Sequence, residues 1–116
     1  VRPSSCKAKG RRFQQELAAA IVSACGLTAD DVTSRSSGAA GTDLLLSPAA
    51  RAVFPYAVEA KNVESLNVWA AFTQAAANGT KTRLTPLLCI RRNKQEPLVI
   101  LRLPDFLALV AERGVL

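Results

Sequence analysis

Short apolar runs of strand length alternate with helix-period segments along the whole chain, and this alternation restricts the fold more than any single residue does. Phe13, Leu17, Ala20, Ile21 and Ala24 recur at helical spacing before Gly26, which predicts a helix over residues 10–25. Val32 to Arg35 reads as a short strand, Ser36 to Gly41 as a small-residue loop, and Thr42 to Ser47 as a buried strand. Pro48 to Arg51 reads as a turn into a strand over Phe54 to Lys61, so that these two strands form a hairpin. A second helix is expected over Asn62 to Asn78, capped by Ser65 and stopped by Gly79. Strands Thr85 to Arg91 and Pro97 to Leu103 follow, and Pro104-Asp105 opens a last helix that reaches Arg113.

The predicted order is therefore α-β-β-β-α-β-β-α. That order belongs to an α/β fold: one domain with a mixed central sheet flanked by helices. At 116 residues the chain fits one domain with one core. Residues 1–9 read as a basic N-terminal arm ahead of a domain over 10–116.

The residue types remove whole classes of chemistry. There is no histidine, and the three cysteines are scattered without a Cys-x-x-Cys pair, which argues against zinc, haem and His-based triads. Any metal would be held by oxygen, which points to Mg2+, with Mn2+ as a substitute. No apolar run approaches the roughly 20 residues of a membrane helix, so no membrane partner is expected. The first residues lack the apolar core of a signal peptide, and free thiols suit a reducing compartment. Together these features give the expectation of a cytoplasmic protein.

The formal net charge is +6, and polyanions are the natural partners of such a chain. Arg11 and Arg12 belong to the basic segment near the N-terminus, while Lys81, Arg83, Arg91, Arg92, Lys94 and Arg102 add charge later. As a surface that tracks phosphates they would bind DNA without reading its sequence.

Chemistry concentrates in Gly41-Thr42-Asp43-Leu44-Leu45-Leu46 and Val58-Glu59-Ala60-Lys61. Side chains at i and i+2 of a strand share a face, so Glu59 and Lys61 point the same way, with Val58 and Ala60 opposite. Asp43 heads the neighbouring strand and can join them. Two carboxylates suit a hard divalent ion that activates water and polarises a phosphodiester. An adjacent lysine can orient or deprotonate the attacking water and offset charge developing on phosphorus. Trp69, within the second helix, is expected in the core rather than as a stacking platform for bases.

Gly-x-Asp followed by Glu-x-Lys within α-β-β-β-α-β resembles the PD-(D/E)xK nuclease superfamily, over about residues 10–103. Within it the chain looks most like the archaeal and phage Holliday junction resolvases, which carry an Arg-Ser-x-x-Gly loop; here that loop is Ser34-Arg35-Ser36-Ser37-Gly38, with one residue fewer between Ser36 and Gly38. The resemblance implies a restriction-endonuclease-like core and an endonuclease that leaves 5′-phosphate and 3′-hydroxyl ends on four-way junction DNA. It implies Asp43, Glu59 and the Ala60 backbone carbonyl as metal ligands, with Lys61 catalytic. Where such nucleases often carry a helical glutamate, the aligned position is Gln14, with Glu16 as the alternative. By the same resemblance Gln74 lies beside the catalytic lysine or the DNA, Arg35 and Ser36 contact phosphate, and the protein is a homodimer. The segment Leu98 to Leu103 and the last helix could form that interface or could be core. Two other readings stay open: a different branch of the superfamily acting on duplex, flap or single-stranded DNA, and a non-catalytic DNA-binding module.

Overall fold

A computed structural model describes residues 3–35 and 41–114. The chain folds as an α/β domain with helices α1 (Pro3–Cys25), α2 (Pro48–Val53), α3 (Val68–Thr82) and α4 (Leu103–Gly114). The strands are β1 (Val32–Ser34), β2 (Leu44–Leu46), β3 (Tyr56–Asn62), β4 (Thr85–Arg91) and β5 (Leu98–Ile100).

Helix α1 begins at Pro3 rather than near residue 10, so most of the expected arm is helical. Proline suits a first helical turn, where its missing N–H leaves no bond unmade, and no residue before Gly26 breaks the helix. Gly26 ends it with φ of +65°, and the Leu27 N–H donates to the Val22 carbonyl at 3.0 Å in a Schellman-type closure. The packed stripe is Phe13, Leu17, Ala18, Ile21 and Val22; Ala20 and Ala24 are exposed.

The expected hairpin between Thr42–Ser47 and Phe54–Lys61 does not form. Strand β2 instead pairs antiparallel with β1, Thr33 opposite Leu45. The segment read as a turn at Pro48 is helix α2, started by Pro48 and capped by the Ser47 hydroxyl, which accepts from the Ala50 N–H at 3.1 Å. That helix turns the chain so that β3 pairs with β4, in parallel, while β5 adds antiparallel on the far side of β4. The sheet β3-β4-β5 is thus mixed. The β1-β2 pair joins it through one backbone bond, from the Asp43 N–H to the Val58 carbonyl at 3.0 Å.

Parallel strands need a crossover, and α3 supplies it. The cap is Asn67, whose side chain accepts from the Ala70 N–H, not Ser65, and the helix starts at Val68. It also runs through Gly79 to Thr82, closing at Arg83 in the left-handed region. Gly79 has a packing role: a Cβ there would lie 2.8 Å from the Leu84 carbonyl oxygen and 3.1 Å from Pro86. Only a bare backbone lets α3 sit this close to the start of β4.

Both faces of β3 and β4 are therefore covered. Val58, Ala60, Leu87 and Cys89 pack under α1 around fully buried Phe13, while Ala57, Glu59 and Leu88 lie on the face that α3 covers through Ala71 and Ala75. The last strand and helix are different. Leu98, Val99, Leu103, Phe106, Leu107 and Val110 are exposed, while Leu101 packs against the core. Trp69 is also outside the core, at 86% exposure. No helix among the described residues is long and apolar enough to cross a membrane.

Candidate active site

The site forms where the β1-β2 pair meets the free edge of β3. Along a strand, the N–H and C=O of one residue point to the same edge, and successive residues alternate. Val58 and Ala60 therefore offer their backbone groups to β2, while Ala57, Glu59 and Lys61 offer theirs to β4. The Val58 carbonyl accepts the Asp43 N–H, and one step on, the Ala60 N–H donates to Asp43 Oδ2 at 2.7 Å. Asp43 is thus held by main chain on both its backbone and its carboxylate. Bonds of this kind to a charged acceptor contribute about 1.5–3 kcal/mol each. The Ala60 carbonyl projects toward the same edge as its N–H.

The approach to Asp43 is fixed as tightly. Gly41 adopts φ of +104°, a backbone region open mainly to glycine. The buried Thr42 hydroxyl donates to the Leu44 carbonyl at 2.9 Å. Arg35 spans the mouth of the loop: its backbone N–H donates to the Asp43 carbonyl at 2.9 Å and its Nε to the Thr42 carbonyl at 2.8 Å. Its guanidinium also lies against Gly41. Arg35 therefore acts as a clamp on the Asp43 strand. Ser36, with Ser37 and Gly38 of the same loop, lies outside the described residues.

Glu59 is the least expected feature of the cluster, because it is only 2% exposed. An isolated buried carboxylate is costly, so its partners matter. Asn78 Nδ2 donates to Glu59 Oε1 at 3.2 Å, and Lys61 Nζ lies 3.4 Å from Oε2. Asn78, itself buried, also donates to the Gly41 carbonyl at 3.2 Å, so one α3 side chain joins both halves of the site. Burial pushes the Glu59 carboxyl above the usual carboxylate range, and the nearby Asp43 charge pushes it further, against the pull of Lys61 and Asn78. Burial likewise raises Asp43, opposed by the Ala60 N–H and by the charges of Lys61 and Arg35. Burial thus raises both carboxyls, and the Asp43 charge adds to the rise at Glu59.

The donor chemistry fits a hard divalent ion. Asp43 Oδ1, the Glu59 carboxylate and the Ala60 carbonyl are all oxygen donors at one edge. Among the described residues no third acidic, cysteine or histidine side chain joins them, so water would complete the shell.

Asp43, Glu59 and Lys61 are brought together, with Ala60 and Arg35 beside Asp43; Gln14, Glu16 and Gln74 do not join them. Gln14 is partly buried on α1 and forms no hydrogen bond with the cluster among the described residues. Glu16 is engaged elsewhere, accepting from Arg91 Nη1 at 2.6 Å, while that guanidinium also sits over the Phe13 ring. Gln74 is exposed, and Asn78, one turn later on α3, makes the contact with Glu59. The sequence carried a signal for Asn78, a polar residue on the stripe with Ala71 and Ala75 next to a close-packing glycine. Arg11, Arg12, Lys81 and Arg83 are exposed on or at the end of α1 and α3, and Arg102 lies over the Phe72 ring. Comparison with protein-family models, curated proteins and solved structures gives no match.

Proposed function

We propose that this chain is a metal-dependent DNA endonuclease, with four-way junction DNA as its substrate and Mg2+ as its metal. The observation that carries the catalytic part is the convergence of Asp43, Glu59 and Lys61 at the β3 edge, with both carboxyls displaced upward by burial and Glu59 further by the Asp43 charge. A purely structural cluster gains nothing from two carboxylates held close in partial burial, whereas a metal-binding site needs them. The likeness to PD-(D/E)xK nucleases rests on the Gly-x-Asp and Glu-x-Lys motifs, and the narrower likeness to junction resolvases on the Ser34-Arg35-Ser36-Ser37-Gly38 stretch of the sequence.

In this reading Asp43, Glu59 and the Ala60 carbonyl hold the ion, and when bound it supplies Lewis acidity toward the scissile phosphate. Asp43 is aimed by the Ala60 N–H, and Glu59 by Asn78. Lys61 is about one-third exposed, so its ammonium can reach solvent while its Nζ stays near Glu59. From there it can hydrogen-bond the attacking water and offset negative charge building on the phosphoryl oxygens. Exposed Arg11, Arg12, Lys81 and Arg83 would hold flanking phosphates, giving affinity that falls with salt.

The test is to incubate the protein with Mg2+ and labelled four-way junction, duplex, flap and single-stranded DNA. Paired nicks in the junction alone are expected. Cleavage of linear duplex as readily as the junction would remove the resolvase reading and leave the nuclease; no cleavage of any substrate in Mg2+ or Mn2+ would remove both.

A further inference from the structure

A cavity of about 390 Å3 opens at the carboxyl end of the parallel pair β3–β4. Its walls are aliphatic: Val63, Leu66 and Val68 from the segment that leads into α3, Ile90 from β4 and Leu98 from β5. Its polar lining comes from the end of β4 and the turn into β5, as Arg92, Gln95 and Glu96. Glu64 ties the two rims together: its Oε2 accepts the Asn93 N–H at 2.7 Å and lies 3.7 Å from Lys9 Nζ. Open α/β sheets bind ligands at this end of their strands. The strand register places the cavity beside the candidate active site. Ile90 stands opposite Lys61, so the two side chains share the sheet face that Glu59 also occupies. Strand spacing sets the Ile90 wall about 5 Å from the Lys61 backbone.

We infer that this cavity takes one unpaired nucleobase from the DNA strand that lies at Lys61. The inference rests on the nuclease reading for the source of the base. A base is the part of a nucleic acid that has two apolar faces and a polar edge. The aliphatic walls suit the faces, and the Gln95 amide, which both donates and accepts, suits the edge. Glu96 only accepts, so it favours a base that offers an amino group and opposes a free phosphate or another acidic ligand. Arg92 is exposed at the mouth, where the phosphate of the same nucleotide can meet it. The adjacent Arg91 guanidinium is already held by Glu16 and Phe13. In an intact duplex the faces are stacked and the edge is paired, so entry is unfavourable. The site therefore selects DNA whose bases are already unstacked, as at a branch point or a flap.

The probe is a DNA duplex carrying one unpaired 2-aminopurine, a fluorescent base with an amino group, compared with the same duplex fully paired. Both are titrated with the full chain in EDTA, so that binding is read without cleavage. The unpaired probe should bind about tenfold more tightly, with its emission changed at saturation. Leu66→Ala should remove most of that difference, while the paired duplex binds within about twofold of the wild type. Gln95→Ala, on the exposed turn, should weaken the unpaired probe by about threefold and decides the matter should Leu66→Ala unfold. Equal affinity for the two probes, or none for either, overturns the inference, as does a preference that neither substitution reduces. Cleavage in Mg2+ is measured separately. A chain that cuts DNA without preferring the unpaired probe loses this site and keeps the nuclease reading. One that prefers the unpaired probe yet cuts no DNA keeps the site and loses that reading.

Discussion

At the β3 edge of the central sheet, a glutamate and an asparagine are buried and an aspartate is half-buried; at the β5 edge, six large apolar side chains face outward. Both edges depart from ordinary burial, in opposite directions. At β3 the two carboxylates are compensated inside the domain, by the Ala60 N–H for Asp43 and by Asn78 and Lys61 for Glu59, although Asn62 Oδ1 at the end of the strand is buried with no hydrogen-bond partner among the described residues. At β5 no described residue covers these side chains. Charge drawn inward with partners is what the proposed chemistry needs, whereas the exposed apolar side chains of β5 and α4 lie outside the core.

Paired truncations are the strongest way to break this contrast. Phe13→Ala, at the fully buried centre beneath β3, should lower unfolding free energy by about 3–5 kcal/mol. Leu107→Ala, half exposed on α4, should lower that of the isolated monomer by less than about 0.5 kcal/mol. Urea unfolding of dilute protein measures both; similar losses would mean that α4 packs as core and the contrast fails. Gly79→Ala is the next largest. Its Cβ would meet the Leu84 carbonyl at 2.8 Å, so α3 must move off β4 at a loss of about 2 kcal/mol, and Asn78 would move with it. A variant as stable as the wild type would show that α3 can shift freely, and that Asn78 does not fix Glu59 by its position.

Much of this contrast was legible in the sequence, and the failures have identifiable causes. Strands β1 and β4 and the start of the last helix followed from apolar periodicity and proline placement. The β2–β3 hairpin failed because Pro48 serves as a helix-starting residue as readily as a turn residue, and the Ser47 cap decides between the two. Gly79 read as a stop, but its missing side chain serves close packing rather than a left-handed turn. The trio Asp43, Glu59 and Lys61 was legible because alternation fixes which strand residues share a face. Asn78 was overlooked for Gln74 because the two lie one turn apart, and only the depth of α3 against β3 separates a buried from an exposed polar residue. The last helix was legible as apolar; the exposure of its large side chains was not, since periodicity gives a face but not its burial.

The central claim is that Asp43 is held for chemistry at some loss of stability, and Asp43→Asn tests it most directly. With both carboxyls raised in the folded state, that state holds its protons more firmly than the unfolded chain does. The protonated forms therefore stabilise the fold at low pH, and this contribution is lost as pH rises from the ordinary carboxylate range through the raised folded values. Asparagine keeps an oxygen for the Ala60 N–H and removes one of the repelling charges. Measured together at neutral pH, the variant should unfold about 1 kcal/mol less readily than the wild type while its Mg2+-dependent DNA cleavage falls on the order of 10³-fold or more. A variant that cleaves DNA at the wild-type rate, or whose loss of cleavage comes with a loss of stability, would contradict the account.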